Sequence, residues 1–387
     1  MMNFENYKLL NNPFRISPSN NPGELIWIGM DKLKEKLNQR IQASIITSPS
    51  RIVINWGRYG SGKTHAANYY TKTNFIQETF GKQTKNIKVN LPRSTKDPVQ
   101  SFLRALIGQL NFENIVGDFE LIKKEFGAAS GAIIDANTTD SIIAAFLTKF
   151  LNKETIQNSL FPDMPVEVSK DALRDFLYGD ITKATLRKLN LPLGLEDDEQ
   201  IVNLLSGIFN TITYQKKVYS SVFLWIDEFE DIEALPKTTQ DRFTTFLRQL
   251  IDKTPNNLTI FLNFTLKGID AFEDLSIILG EALASRAKIH IDFEEPDEDE
   301  SLKYIRDLLN HSNFRKTGDI DNNNLYYPYE EVSVKYIVSN IGRRSLRKIN
   351  ETFSLILELA LIENPVPQNI TQEFIDKVSL EIPSWKK

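Results

Sequence analysis

The chain has 387 residues, 46 basic and 51 acidic side chains for a net charge of −5, and 41% apolar residues, which suits two or three globular domains with buried cores. Zero cysteines exclude disulfides and thiolate metal sites, and the three histidines (His65, His290, His311) lie too far apart for zinc-ligand spacing. The acidic balance leaves no global nucleic-acid footprint, and with no leader-like start and no apolar run of membrane-spanning length, a cytoplasmic protein without membrane contact is expected.

Residues 1–50 read as an N-terminal arm and linker helix. Asn12-Pro13-Phe14 and Leu25-Ile26-Trp27-Ile28-Gly29 are short apolar anchors between turns rich in Pro and Asn. Asp31 can cap a helix to about Ala43, with Leu33, Leu37 and Ile41 along one face. Pro13, Phe14 and Ile28 are candidates either for an adenine pocket or for plain packing of the arm on the core.

Ile52-Val53-Ile54-Asn55-Trp56 then reads as a buried strand and His65-Ala66-Ala67-Asn68-Tyr69-Tyr70 as helix. Between them lies Gly57-Arg58-Tyr59-Gly60-Ser61-Gly62-Lys63-Thr64, with the G-x-x-x-x-G-K-T spacing of a phosphate-binding loop. Glycines let backbone N–H groups turn toward an anion without a Cβ clash, and the helix start adds partial positive charge there. Lys63 can reach the β- and γ-phosphates, and the Thr64 hydroxyl can ligate Mg²⁺. A bound nucleoside triphosphate is expected.

Asn86 to Leu91 reads as a second strand and Ser101 to Leu110 as a helix. Residues from about 111 to 198 break this rhythm with helix-like pieces and an excess of acidic side chains, and they read as a helical insertion. Within it, Gly127-Ala128-Ala129-Ser130-Gly131-Ala132 predicts a mobile loop. Ile201, Leu204, Leu205, Ile208 and Ile212 then follow helical spacing.

Val222-Phe223-Leu224-Trp225-Ile226 ends in Asp227-Glu228, a buried strand delivering two carboxylates to its tip. Asp227 is placed to hold the metal, directly or through water, and Glu228 to polarise an attacking water. The pair is expected to meet the glycine loop across neighbouring strands. Leu258 to Thr265 gives another strand, with Asn263 and Thr265 on one side and either able to reach a γ-phosphate. Lys288 to Phe293 gives a fifth, preceded by Ser285-Arg286. From about 296 the pattern is helical, opened by the acid-rich Pro296 to Glu300, with later helices at 330–339, 344–363 and 371–380.

In this order the parts resemble the AAA+ ATPases, and within them the initiator and origin-recognition branch and the bacterial ATPases of transposition and secretion. The resemblance implies an α/β fold, a P-loop NTPase core of parallel strands at 51–295 with a helical insertion at about 111–198, and an all-helical lid domain at 296–387. It puts Thr265 at the sensor 1 position, with Asn263 the alternative, and Arg286 at the arginine finger, where a surface salt bridge is the other reading. Arg343 or Arg344 in Gly342-Arg343-Arg344-Ser345-Leu346 falls on the sensor 2 turn. ATP and Mg²⁺, a homo-oligomer and a protein partner are implied, and DNA is a possible one. Initiator-type relatives carry a winged-helix domain after the lid, for which the chain has no room. The competing expectation is a nucleotide-gated module that switches a protein partner without DNA; a metabolic kinase is the weakest.

Overall fold

A computed structural model describes residues 3–93, 96–151, 156–158, 161–166, 169–265, 275–383 and 385. The strands are β1 (Arg51–Gly57), β2 (Thr84–Asn90), β3 (Ile156–Asn158), β4 (Phe161–Val166), β5 (Ser221–Asp227), β6 (Leu258–Thr265) and β7 (Ile289–Phe293). Five form a parallel sheet in the order β2-β5-β6-β1-β7, while β3 and β4 pair apart from it as an antiparallel hairpin. β5 and β6 are buried along their whole length, as strands covered on both faces must be. The strand carrying Asp227 and Glu228 is therefore not the neighbour of the strand before the glycine turn. β6 lies between them.

The chain divides into two compact units. One comprises Gln39–Asn55 and Asn74–Ile291 and holds most of the sheet. There helix Pro98–Leu110 packs on β2, and helices Asp198–Ile212 and Lys237–Lys253 pack on each other. Most of the 111–198 span is helical, as its apolar spacing requires, although 152–155, 159–160 and 167–168 lie outside the described residues. The small-residue run is not a loop. Gly127–Ala129 is a 3-10 turn, and Ser130–Asn137 is an α-helix that buries Ile133 and Ile134. Two isoleucines one turn downstream outweigh the weak propensity of the glycines.

The other unit comprises Met1–Asn38, Trp56–Thr73 and Asp292–Lys387. Its core joins Ile305, Leu309, Ile337, Ile349, Phe353 and Leu357 of the C-terminal helices with Tyr7, Leu9 and Phe14 of the N-terminal arm. Helix Glu298–Leu309 opens with a capping box, Asp297 and Glu300 satisfying each other's backbone N–H, and three acids stand in its first turn. Among the described residues no helix is long and apolar enough to cross a membrane.

Candidate phosphate-binding turn and carboxylate row

The turn after β1 takes a path that side chains resist. Gly60 sits at φ +82° and Gly62 at φ +97°, where L-residues are strained. Gly57 is glycine for a different reason: a Cβ there would lie 2.7 Å from both Cβ and carbonyl oxygen of Phe293 and 2.9 Å from Ser61 Oγ. Lys63 opens helix Lys63–Lys72, and its ammonium turns back inside the loop, donating to the carbonyls of Gly57 (2.8 Å) and Arg58 (2.9 Å) and to Ser61 Oγ (3.2 Å). Gly62 is the N-cap, no side chain caps the first turn and no acid stands in it. That leaves a helix start suited to an anion. Thr64, the expected metal-binding hydroxyl, is the second residue of this helix. A triphosphate fits such a cradle, in which added Cβ atoms would collide.

A second segment of the same unit closes over the turn. Arg347 N–H donates to Gly60 O (3.3 Å), and its guanidinium lies 4.5 Å above the ring of Tyr59 and donates to the phenol oxygen. A Cβ on Gly60 would come within 2.9 Å of Arg347 Cβ and 3.1 Å of Ser345 Oγ. The arginines singled out from the sequence point elsewhere. Arg343 pairs with Glu295 at 3.0 Å and Arg344 with Glu298 at 3.7 Å. Ser345 accepts from Lys348 N–H as the N-cap, so the helix runs Leu346–Ile362, and the residue laid on the loop is Arg347. The serine cap, four residues after the preceding helix stops at Ile341, was legible in the sequence as a helix start; the contact of Arg347 with the loop was not.

His65 Nε2 lies 2.8 Å from Ile26 O, and burial lowers its pKa below the usual value, partly offset by that hydrogen bond. Trp27, not singled out from the sequence, stands over the same helix with ring centroids 5.4 Å from Tyr69, 5.9 Å from Tyr70 and 6.1 Å from His65. Phe14 takes the packing role. It is 2% exposed and lies 5.2 Å from Phe353 and 6.2 Å from Tyr329 in the helical core, against which Ile28 also packs.

In the other unit, polar residues from four strands form a row. Asn55 (β1) donates to Asn263 Oδ1 (2.7 Å); Asn263 (β6) donates to Asp227 Oδ1 (2.9 Å); Lys88 (β2) lies 3.0 Å from Asp227 Oδ2. The register explains the meeting. Ile226 pairs with Leu262, putting Asp227 and Asn263 one step further along, and Lys88 pairs with Trp225. Glu228 leaves the strand at φ +55°, a strained conformation for a glutamate. Its carboxylate receives Asn90 Nδ2 (3.3 Å) and Arg93 Nη2 (3.2 Å), and Arg93 also holds Asp231 (2.9 Å). Of the two strand-tip polar residues, Asn263 contacts Asp227. Thr265 donates its backbone N–H to Glu230 instead (3.1 Å). Arg286 is forked onto Asp252, at 2.7 and 2.9 Å, with a third bond to Ala282 O. Among the described residues, no group of three or more His, Asp or Glu side chains converges to hold a metal.

A parallel sheet, a glycine turn between strand and helix, and a carboxylate pair at a buried strand's tip define a mixed α/β fold of the P-loop type. No protein-family model matches the chain, and no curated protein matches it. Among solved structures it is similar to the Aeropyrum pernix ORC2 protein in ADPNP–ADP complexes, with a TM-score of 0.49 and 12% identity over 93% of this chain and 71% of that one. It is also similar to the A. pernix ORC1 protein in complex with DNA (TM-score 0.44, 10% identity, 97% and 70% covered) and to C. elegans PCH-2 (0.43, 13%, 93% and 70%).

Proposed function

We propose that this chain is an AAA+ ATPase that binds Mg-ATP, hydrolyses it, and uses the change of nucleotide state to assemble or remodel a protein or nucleoprotein complex. The observation that carries the reading is the glycine turn with the Lys63 ammonium drawn inside it and Arg347 laid across Gly60. In this reading the amides of Gly57 to Thr64 and the Lys63 ammonium hold the phosphates. The Thr64 hydroxyl would ligate Mg²⁺, and Asp227 is the carboxylate that would serve the ion through water; the ion would supply neutralisation of charge on the phosphate oxygens. Glu228 orients the attacking water, with Asn90 and Arg93 fixing its carboxylate. Asn263 takes the sensor 1 role because it touches Asp227, and Arg347 the lid-sensor role because it touches the loop.

Arg286 acts as a finger toward a neighbouring copy once it leaves Asp252. Such an arginine is worth roughly 10³–10⁵ in rate, so dilute monomer hydrolyses slowly. The proposed organisation is an arm at 1–50, a core at 51–295 with its insertion, and a lid at 296–387.

Titration calorimetry with ATP tests the reading: wild type binds, and Lys63→Ala does not. Equal affinity in the two would refute the phosphate-loop assignment. Mass photometry with ATP, with and without duplex DNA, then separates a nucleoprotein role from a purely protein one, since only the former gives ATP-dependent, salt-sensitive DNA binding.

A further inference from the structure

A chain of contacts that phosphate binding does not call for runs from the helix after the glycine turn to the C-terminal helices. Trp27 lies on helix Lys63–Lys72, its ring centroid 5.4 Å from that of Tyr69 and 6.1 Å from that of His65. Its indole N–H donates to Gly29 O at 2.9 Å. Gly29, at φ +63°, lies against helix Glu298–Leu309, where a Cβ on it would meet both Cβ and Cδ2 of Tyr304 at 3.4 Å. Tyr304 is buried and donates its hydroxyl to Asn350 Oδ1 at 2.9 Å. Asn350 stands on helix Leu346–Ile362, one turn after Arg347, whose N–H reaches Gly60 O. The route returns to the turn beside which it began, and all of it lies within one compact unit.

We propose that Trp27 is a positioning residue: by holding Gly29 it seats helix Glu298–Leu309, and through Tyr304 and Asn350 it sets where Arg347 meets the glycine turn, a role in nucleotide binding that rests on the Mg-ATP reading above. The direct contact at the turn is slight. Arg347 N–H reaches Gly60 O at 3.3 Å, and its guanidinium stacks on the exposed ring of Tyr59. A long hydrogen bond and a stack open to water hold a position weakly. The buried route behind it is better fitted to do so, since packed rings and hydrogen bonds carry coupling between elements. An indole N–H can only donate, so a half-buried Trp27 needs an acceptor, and Gly29 O is the one it finds.

The test breaks the route at two places. Trp27→Phe keeps an aromatic ring and removes the donor; Tyr304→Phe removes the hydroxyl that holds Asn350. Without nucleotide, hydrogen exchange of the Arg347 amide reads the contact with Gly60 O, and the Leu10 amide, bonded to Phe314 O at 2.8 Å, reads the helical core. Each variant should speed exchange at Arg347 about tenfold, the scale of one lost hydrogen bond, and leave Leu10 within about twofold of wild type. The double variant should exchange no faster at Arg347 than the faster single one, because both changes break one route. An Arg347 amide as slow as wild type's, an equal rise at Leu10, or additive effects in the double variant overturns the proposal. Should one variant not fold, the other decides alone by the same two amides.

Calorimetry with ATP supplies the second arm. Trp27→Phe should weaken affinity about three- to tenfold in the otherwise wild-type chain and leave it unchanged in an Arg347→Ala background, because Trp27 acts through Arg347. An equal loss in both backgrounds would make Trp27 a direct nucleotide contact and overturn the positioning role. A wild type that binds no ATP refutes the nucleotide reading, and exchange at Arg347 then decides the route on its own.

Discussion

Replacing Gly57 by alanine tests how closely the glycine turn is packed. The new Cβ would sit 2.7 Å from Phe293 Cβ and 2.7 Å from Phe293 O, where non-bonded carbons prefer about 3.5–4.0 Å. Phe293 ends β7 and is buried, so neither atom can swing aside as a long side chain would. The third contact, Ser61 Oγ at 2.9 Å, is an acceptor for Lys63. Overpacking of this kind costs roughly 1–3 kcal/mol. Gly117 makes the matched control: it lies inside helix Phe112–Phe126, and a Cβ there meets nothing within 4 Å. Alanine at Gly117 should stabilise by about 0.8–1 kcal/mol. The same chemical change therefore has opposite signs at the two positions, separated by about 2–4 kcal/mol. Urea unfolding followed by circular dichroism reads both midpoints. A neutral or stabilised Gly57→Ala would refute the close approach of the turn to Phe293, and with it the account of why glycine stands there.

Glu228→Gln should keep ATP binding and cut steady-state turnover by roughly 10²–10⁴; turnover near wild type removes Glu228 from the role of orienting water. Arg347→Ala should weaken ATP binding more than Arg343→Ala, since the first contacts Gly60 and Tyr59 and the second pairs with Glu295; the reverse order in calorimetry returns the lid role to Arg343. Stability should fall with acidification below about pH 6.5. Burial lowers the pKa of His65 and of His311 from the usual 6.5, so in that window the unfolded chain binds the extra protons. The contribution is whole above the unfolded value and drains away as pH drops toward the folded one, at no more than about 1.4 kcal/mol per pH unit for buried His65 and less for His311, whose exposure to solvent screens it. A urea midpoint for His65→Gln as acid-sensitive as wild type's would sink the His65 part.

The segments readable from sequence were those whose cause is local. Apolar runs such as Val222 to Ile226 and Leu258 to Phe264 announce buried strands, and the glycines at 57, 60 and 62 with Lys63 behind them announce a turn between strand and helix. Asn263 was visible as a polar break in β6, but its choice over Thr265 as the partner of Asp227 depends on register between two strands. Phe14 offered two readings, and only the arrangement of the C-terminal helices, which supply Tyr329 and Phe353, selects packing.

Three features had no local cause to read. That β6 separates β1 from β5 is a matter of strand order, which periodicity does not record. That Arg347 rather than its neighbours lies on the loop is a tertiary contact with Gly60 O and the Tyr59 ring, which the serine cap alone does not announce. That Lys88 pairs with Asp227 follows from parallel register, since a half-buried lysine in a strand looks the same in sequence whether its charge meets water or a carboxylate. The order of residue types fixes which stretches must leave water and which turns need glycine, because those demands act within a few residues. Which buried charges meet is decided by the folded chain, because only there does desolvation force each to find a partner.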